Sequence, residues 1–204
     1  MPTEANIYIV DDDELVLSTL DSIFTFAGFE VFTFNRAEDF LATDLSDAPG
    51  CLILDLRMPH MSGLELQRHL AKRQLQLPVI IYTGNADVAT TVRAMSDGAF
   101  TLIQKPISND LLVETVRDAI QQHQERFQKT ALYQQARDQL ACLSEKERQV
   151  AILAADGLTA ADISKQLHVS IRTVEAHKSN IFKKLNIHSI AQLTRLVVLA
   201  ELTH

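Results

Sequence analysis

No apolar run in this 204-residue chain approaches the roughly 18 residues that span a bilayer. Its N-terminus carries acid where an export signal needs a basic segment followed by an apolar one. The chain is therefore expected to stay in the cytoplasm. It has two cysteines, Cys51 and Cys142, with no CxxC or zinc spacing, which leaves them as small buried apolar residues in a reducing compartment. The seven histidines show no metal-ligand spacing either. No GxxxxGKS or GxxxxGKT occurs, which excludes a P-loop nucleotidase. What remains is a chain with 47% apolar content, long enough for two domains with a core each.

The net charge of −7 conceals an asymmetry. Residues 1–118 carry 8 Lys and Arg against 18 Asp and Glu, and residues 119–204 carry 11 against 8. Within 165–195 six basic residues, Lys165, Arg172, Lys178, Lys183, Lys184 and Arg195, face the single acid Glu175. An acidic half and a basic half suggest two different partners. Ordinary solvated surface charge is the alternative, and a motif must decide between them.

The stretch from Cys51 to Gly63 anchors the reading. Four apolar residues read as a buried strand of a parallel sheet, and Asp55 follows where that strand ends. Pro59 and Gly63 break the chain before a helical pattern from Leu64 to Leu75. A strand-end Asp is either a helix cap or loop acid, or it lies in the crevice where open α/β sheets hold ligands. The same pattern recurs. Ile7–Val10 is a β-rich run ending in Asp11, Asp12, Asp13 and Glu14; a helix to Gly28 and a strand over Glu30–Phe34 follow. Further helices are predicted over Ala37–Leu45 and Val88–Ser96, strands over Pro78–Thr83 and Phe100–Gln104, and a helix from near Ser108. Five such alternations in about 120 residues argue an α/β, doubly wound, five-stranded parallel sheet.

Parallel strands bring Asp11, Asp12, Asp55, Thr83 and Lys105 to one edge. Three carboxylates there repel by several kcal/mol, and a hard divalent cation relieves this, Mg²⁺ fitting best. With phosphate oxygens on such a metal, Asp55 can act as a carboxylate nucleophile, Lys105 can pair with a phosphoryl oxygen and Thr83 can donate to another. Val10-Asp11-Asp12, Leu54 to Gly63, Thr83-Gly84 and Lys105-Pro106 together resemble the receiver domain of bacterial two-component response regulators. The resemblance implies that Asp55 is the phosphoacceptor and that Asp12, Asp55 and the backbone carbonyl of Arg57 bind Mg²⁺, with Asp11 contacting it through water. It makes Thr83 and Lys105 the switch pair. One position departs: Leu102 stands where the family often carries Tyr or Phe, with Phe100 on a neighbouring position.

From Ser108 helical spacing continues towards Leu140 without Pro or Gly, through a Gln-rich middle suited to an exposed helical connector; it reads as one long helix, a break near 122–126 being the alternative. Ser144 with Glu147, Thr159 with Asp162, Ser170 and Ser189 then mark four helix starts, with His168-Val169 as a tight corner. A helix, a short turn and a basic helix make a helix-turn-helix. On the basic helix Val174, Ile181 and Leu185 form an inward stripe. Arg172, Glu175, Ala176, Ser179 and Lys183 lie outward, flanked by Lys178 and Lys184, which suits a major groove as well as a plain polar surface. Leu143 to Arg148, Gly157 to Thr159, Asp162-Ile163, Val169 to His177 and Asn180 to Leu185 resemble the LuxR-type DNA-binding domain, so the whole chain resembles FixJ/NarL-type response regulators. That resemblance adds Thr173 to the expected DNA contacts and makes His177 a packing and phosphate-side residue.

The expected organisation is a receiver at 1–120, a helical linker at 121–141 and a small all-α DNA-binding domain at 142–204. Expected partners are a sensor histidine kinase, double-stranded promoter DNA and a second copy on activation, with RNA polymerase as a further candidate. The chain is read as no enzyme in the sense of turning over a separate substrate. An aspartate-nucleophile phosphatase needs a second Asp two residues after the first, where Arg57 stands here.

Overall fold

The structure, a computed structural model, describes residues 5–45, 48–73, 75–84 and 86–202. The chain divides into two compact units, Met1–Phe127 and Gln128–His204.

In the first unit β1 (Asn6–Val10), α1 (Glu14–Phe26), β2 (Glu30–Phe34), α2 (Ala37–Ala42), β3 (Gly50–Leu54), α3 (Gly63–Lys72), β4 (Val79–Thr83), α4 (Val88–Ser96) and β5 (Thr101–Gln104) alternate before α5 (Asn109–Ala141). All strand pairs are parallel, in the order β2-β1-β3-β4-β5, which is the doubly wound sheet expected. Every residue of β1 and β3 is buried, because these central strands are covered on both faces and so read as continuous apolar runs. One face packs Leu20 and Phe24 of α1 with Val116 and Ile120 of α5; the other packs Phe40, Leu66, Leu70 and Ala94 from α2, α3 and α4. Each large side chain so enclosed contributes about 1.5 to 3 kcal/mol.

Two helices end earlier than their spacing predicts. Helix α2 stops at Ala42 and α3 at Lys72, short of Leu45 and Leu75; Gln74 lies outside the described residues. Leu45 still packs on the second cluster, so its apolarity reflects burial of a loop and not helical phase, whereas Leu75 is exposed. Helix α5 runs unbroken through 122–126. Within it Leu112, Val116, Ala119 and Ile120 are buried, then nothing until Ala136 and Leu140.

The second unit holds the last part of α5 with α6 (Glu145–Ala155), α7 (Ala160–Leu167), α8 (Ile171–Leu185) and α9 (Ile190–Glu201). Ala136 and Leu140 are buried here, Leu140 in one core with Val150, Ile163, Val174, Ile181, Leu185, Leu193 and Val197. Arg137 donates from Nε to the Ala200 carbonyl and from Nη2 to that of Leu202, satisfying carbonyls at the end of α9. Reciprocal capping boxes open α6 (Ser144, Glu147) and α7 (Thr159, Asp162), and Ser170 and Ser189 cap α8 and α9. His168, at φ 54°, turns the chain between α7 and α8.

Candidate phosphoryl and nucleic-acid sites

The strand register builds the first site. Val10 pairs with Leu54, and the Asp55 amide donates to the Val10 carbonyl at 2.9 Å, so Asp11 and Asp55 leave neighbouring central strands at the same level. The Lys105 amide donates to the Thr83 carbonyl at 2.8 Å and brings the ends of β4 and β5 level in the same way. These are the carboxyl ends of the sheet, where the strand order reverses about β1 and β3.

Adjacent acids of the β1–α1 loop have different tasks. Asp13 is the N-cap of α1, accepting from the Leu15 amide at 2.9 Å. Asp12 is exposed. Asp11 is buried, and its Oδ1 accepts from the Asp13 amide at 3.0 Å. The Lys105 ammonium stands between two carboxylates, 2.6 Å from Asp11 Oδ2 and 3.2 Å from Asp55 Oδ1. Asp55 Oδ2 accepts from the Arg57 amide at 2.5 Å, so both ends of that carboxylate are held. Burial pushes the Asp11 carboxyl above its ordinary value, against the pull of its bonds from Lys105 and Asp13. Burial alone would draw the Lys105 ammonium down, but the bonds and charges of Asp11 and Asp55 outweigh it and leave it raised. One ammonium serving two carboxylates is oversupplied with anion, and Asp11 is undersupplied with cation.

The loop after β3 is closed by Gly63, whose amide donates to the Leu56 carbonyl at 3.1 Å. A Cβ on Gly63 would fall well inside contact distance of the Asp55 carbonyl oxygen, so only glycine lets α3 begin this close to Asp55. Ser62 and Glu65 form a capping box there, a signal present in the sequence as Ser-x-x-Glu. Thr83 is buried at the end of β4. Leu102 packs on the α2–α4 side of the sheet, whereas Phe100 packs against the α1–α5 side, so Phe100 is not placed to replace an aromatic at 102.

Three further features escaped the sequence reading. Gln67 of α3 is buried and donates from Nε2 to the Ala94 carbonyl of α4 at 2.9 Å, while its Oε1 finds no donor among the described residues. His123 Nδ1 lies 3.1 Å from the Gly50 amide, and burial lowers the ring's proton affinity. The Lys105 ammonium lies over the Tyr82 ring, 5.0 Å from its centroid. None has a motif, since each depends on a tertiary neighbour far away in the chain.

Donor chemistry at the first site suits a hard cation: Asp11 and Asp55 offer carboxylate oxygens, Asp12 follows Asp11 in the same loop, and the Arg57 backbone is held at Asp55 through its amide. Among the described residues, no three acidic, histidine or cysteine side chains are already gathered as a metal cage. Lys105 stands between two of the carboxylates instead.

On α8 the inward stripe is Val174, Ile181 and Leu185, all buried. Arg172, Thr173, Glu175, Ala176, Ser179 and Lys183 are exposed on the other side. Thr173 Oγ1 is 2.8 Å from Ser170 Oγ, within the N-cap. Lys178 is half-buried and 3.7 Å from Glu175. Lys184 does not share the setting of Lys183: its ammonium donates to Glu147 Oε2 of α6 at 2.7 Å. Glu147 is 4% exposed, and this bond together with those from Ser144 holds its carboxyl down to about 2. The side chain of Lys184 thus ties α8 to α6.

Residues 7–117 match the family described as response regulator receiver domain, and residues 141–197 match the LuxR family of bacterial regulatory proteins. The chain is 34% identical over 200 residues to the transcriptional regulatory protein FixJ of Bradyrhizobium diazoefficiens, covering 98% of each. It is 36% identical over 196 residues to FixJ of Rhizobium meliloti, covering 96% of each. Among solved structures it is similar to the response regulator StyR, with a TM-score of 0.85 and 36% identity over 96% of this chain and 98% of that one. Full-length FixJ from B. japonicum gives 0.60 and 33% over 99% and 100%. Among the described residues no helix is long and apolar enough to cross a membrane. With a parallel-sheet unit that ends in Asp11, Asp55 and Lys105 and a four-capped helical unit that exposes α8, the chain belongs to the two-component response regulators of the FixJ type, a receiver domain followed by a LuxR-type DNA-binding domain.

Proposed function

We propose that the chain regulates transcription by accepting a phosphoryl group on Asp55 and binding promoter DNA through α8. The observation that carries this is the Lys105 ammonium shared by Asp11 and Asp55 at the carboxyl edge of the sheet. An Asp55 carboxylate oxygen attacks phosphorus of a phosphohistidine on a sensor kinase; the Oδ–P bond forms as the N–P bond breaks. Lys105 balances charge on the phosphoryl oxygens, the Arg57 amide keeps the carboxylate oriented, and the Thr83 hydroxyl moves in to donate to a phosphoryl oxygen. Asp11, Asp12, Asp55 and the Arg57 carbonyl would hold Mg²⁺, which neutralises phosphoryl charge when bound.

Arg172 and Lys183 provide charge for phosphates, and Thr173, Glu175, Ala176 and Ser179 lie where base edges can be met. Lys178 sits at the edge of this face. One short recognition helix offers too little surface for tight binding, so two copies on two half-sites are expected, with phosphorylation favouring the dimer. The exposed Val88, Val92 and Met95 of α4 and Leu111 of α5 are apolar surface suited to that association. RNA polymerase is a further partner of the DNA-bound form. The chain acts in the cytoplasm and turns over no separate substrate.

Incubation with a small phosphodonor and Mg²⁺, followed by intact mass, tests the reading. A single phosphoryl adduct absent from Asp55→Asn is expected; an adduct of equal yield in that variant would place the phosphoacceptor elsewhere.

A further inference from the structure

Among the described residues the Lys105 ammonium has three charged or aromatic neighbours, of which two are carboxylates. The third is the ring of Tyr82, the residue before Thr83 on β4. Tyr82 pairs with Ile103 in the parallel register and packs with Ile80 and Ile103 on the α1–α5 side of the sheet. Lys105 follows directly after Gln104, the last residue of β5, with its amide bonded to the Thr83 carbonyl at the end of β4. There the ammonium reaches the ring face at 5.0 Å from the centroid while it bonds to Asp11 and Asp55.

We propose that Tyr82 is a positioning residue for the phosphoacceptor site, its ring holding the Lys105 ammonium beside Asp55 while the ammonium's charged partners change. This rests on the phosphoacceptor reading of Asp55. Both carboxylates that now bind Lys105 are groups the reaction redirects. Asp11 is a carboxylate that a cation would engage, and Asp55 becomes an acyl phosphate. An aromatic face attracts an ammonium through its quadrupole and competes for neither. The remaining side chain, a flexible four-carbon stem, does not by itself fix where the charge sits. Neighbouring positions of the sheet show that packing alone does not require an aromatic: Ile80 and Ile103 fill the same cluster with aliphatic groups. The phenol oxygen has no part in the proposal, since the contact is to the ring.

The test compares the full-length wild type, Tyr82→Phe, Tyr82→Leu and Tyr82→Met. In the absence of cation and phosphodonor, the Lys105 ε-methylene protons, assigned by loss of their signal in Lys105→Met, should be shifted upfield by the ring in the wild type and Tyr82→Phe. They should return to ordinary positions in the Leu and Met variants. With a small phosphodonor and Mg²⁺, the initial rate of adduct formation should be kept within about twofold by Tyr82→Phe. It should fall about 3- to 10-fold in whichever aliphatic variant melts as the wild type does, the factor expected for a partly desolvated cation–ring contact. In a Lys105→Met background the aliphatic change should add nothing.

An equal further loss in that background would assign Tyr82 to packing and overturn the inference, as would an unshifted Lys105 signal in the wild type. Wild-type rates in folded Tyr82→Leu, with the adduct still confined to Asp55, would overturn the inference alone. An adduct that persists in Asp55→Asn would overturn both it and the reading beneath it.

Discussion

Adjacent lysines at the end of α8 should behave oppositely when each is changed to alanine. Lys183 is exposed and is expected to meet a DNA phosphate; Lys184 donates to the nearly buried Glu147 at 2.7 Å. Breaking a fully buried ion pair from one side costs about 3 to 5 kcal/mol, and an exposed pair is worth about 0 to 1. The Lys184 side chain is 44% exposed against 6% for Glu147, which sets the cost of Lys184→Ala between these limits, at about 1 to 2 kcal/mol after solvent screening. For a unit of this size that is roughly a 4 to 16 °C drop in melting temperature. The pH dependence has a definite sign. Glu147 is held at about 2 from an ordinary 4.5, so its stabilising bonds are fully present above about 4.5 and are lost as pH falls towards 2. The gap in stability between wild type and Lys184→Ala should close over that window. In DNA titrations across salt, Lys183→Ala should flatten the slope of log affinity by about one unit, and Lys184→Ala should leave it unchanged once protein at equal folded fraction is compared. Calorimetry and fluorescence anisotropy read both. If Lys184→Ala flattened the slope as Lys183→Ala does and left melting untouched, the pairing with Glu147 would be refuted.

Other changes test the receiver unit. Gly63→Ala should destabilise by about 1 to 3 kcal/mol in denaturant titrations, because the added methyl meets the Asp55 carbonyl; a neutral result would contradict the close approach of α3 to β3. Gln67→Leu should leave stability level or raised, since it removes an acceptor without a donor among the described residues along with a bond to a carbonyl that also receives the Ala99 amide; a loss above about 2 kcal/mol would show that the bond to Ala94 outweighs the orphaned oxygen. Thr83→Ala should accept phosphate at Asp55 yet fail to dimerise, as read by sedimentation with and without phosphodonor. Normal phosphate-driven dimerisation would remove Thr83 from the coupling.

The parallel sheet was legible because buried central strands leave continuous apolar runs, and because β1, β3, β4 and β5 run out at Asp11, Asp55, Thr83 and Lys105. Those same ends announced Asp11, Asp55, Thr83 and Lys105 as neighbours. The four helix starts of the second unit were legible for a similar local reason: a capping hydroxyl belongs to the turn it caps, and at α6 and α7 an acid three residues on joins it. Side-chain partnerships between distant segments were not legible. Charge and spacing made Lys183 and Lys184 look alike, and only the packing of α8 on α6 separates them. Asp13 looked like one of an acidic set, but caps α1. Phe100 and Leu102 lie two residues apart, yet pack on opposite sides of the sheet, because Phe100 precedes the strand and escapes its alternation.

Control of DNA binding by phosphorylation of Asp55 is read from the DNA affinity of the full-length chain with and without phosphodonor and Mg²⁺, in the wild type and in Asp55→Asn. A shift from a mostly inactive to a mostly active population corresponds to roughly 3 to 5 kcal/mol of differential contact with the phosphoryl group, and so to a large gain in wild-type affinity with dimer formation. Asp55→Asn should show neither. An equal gain in Asp55→Asn, or none in a wild type shown by mass to carry the phosphoryl group, would contradict the account.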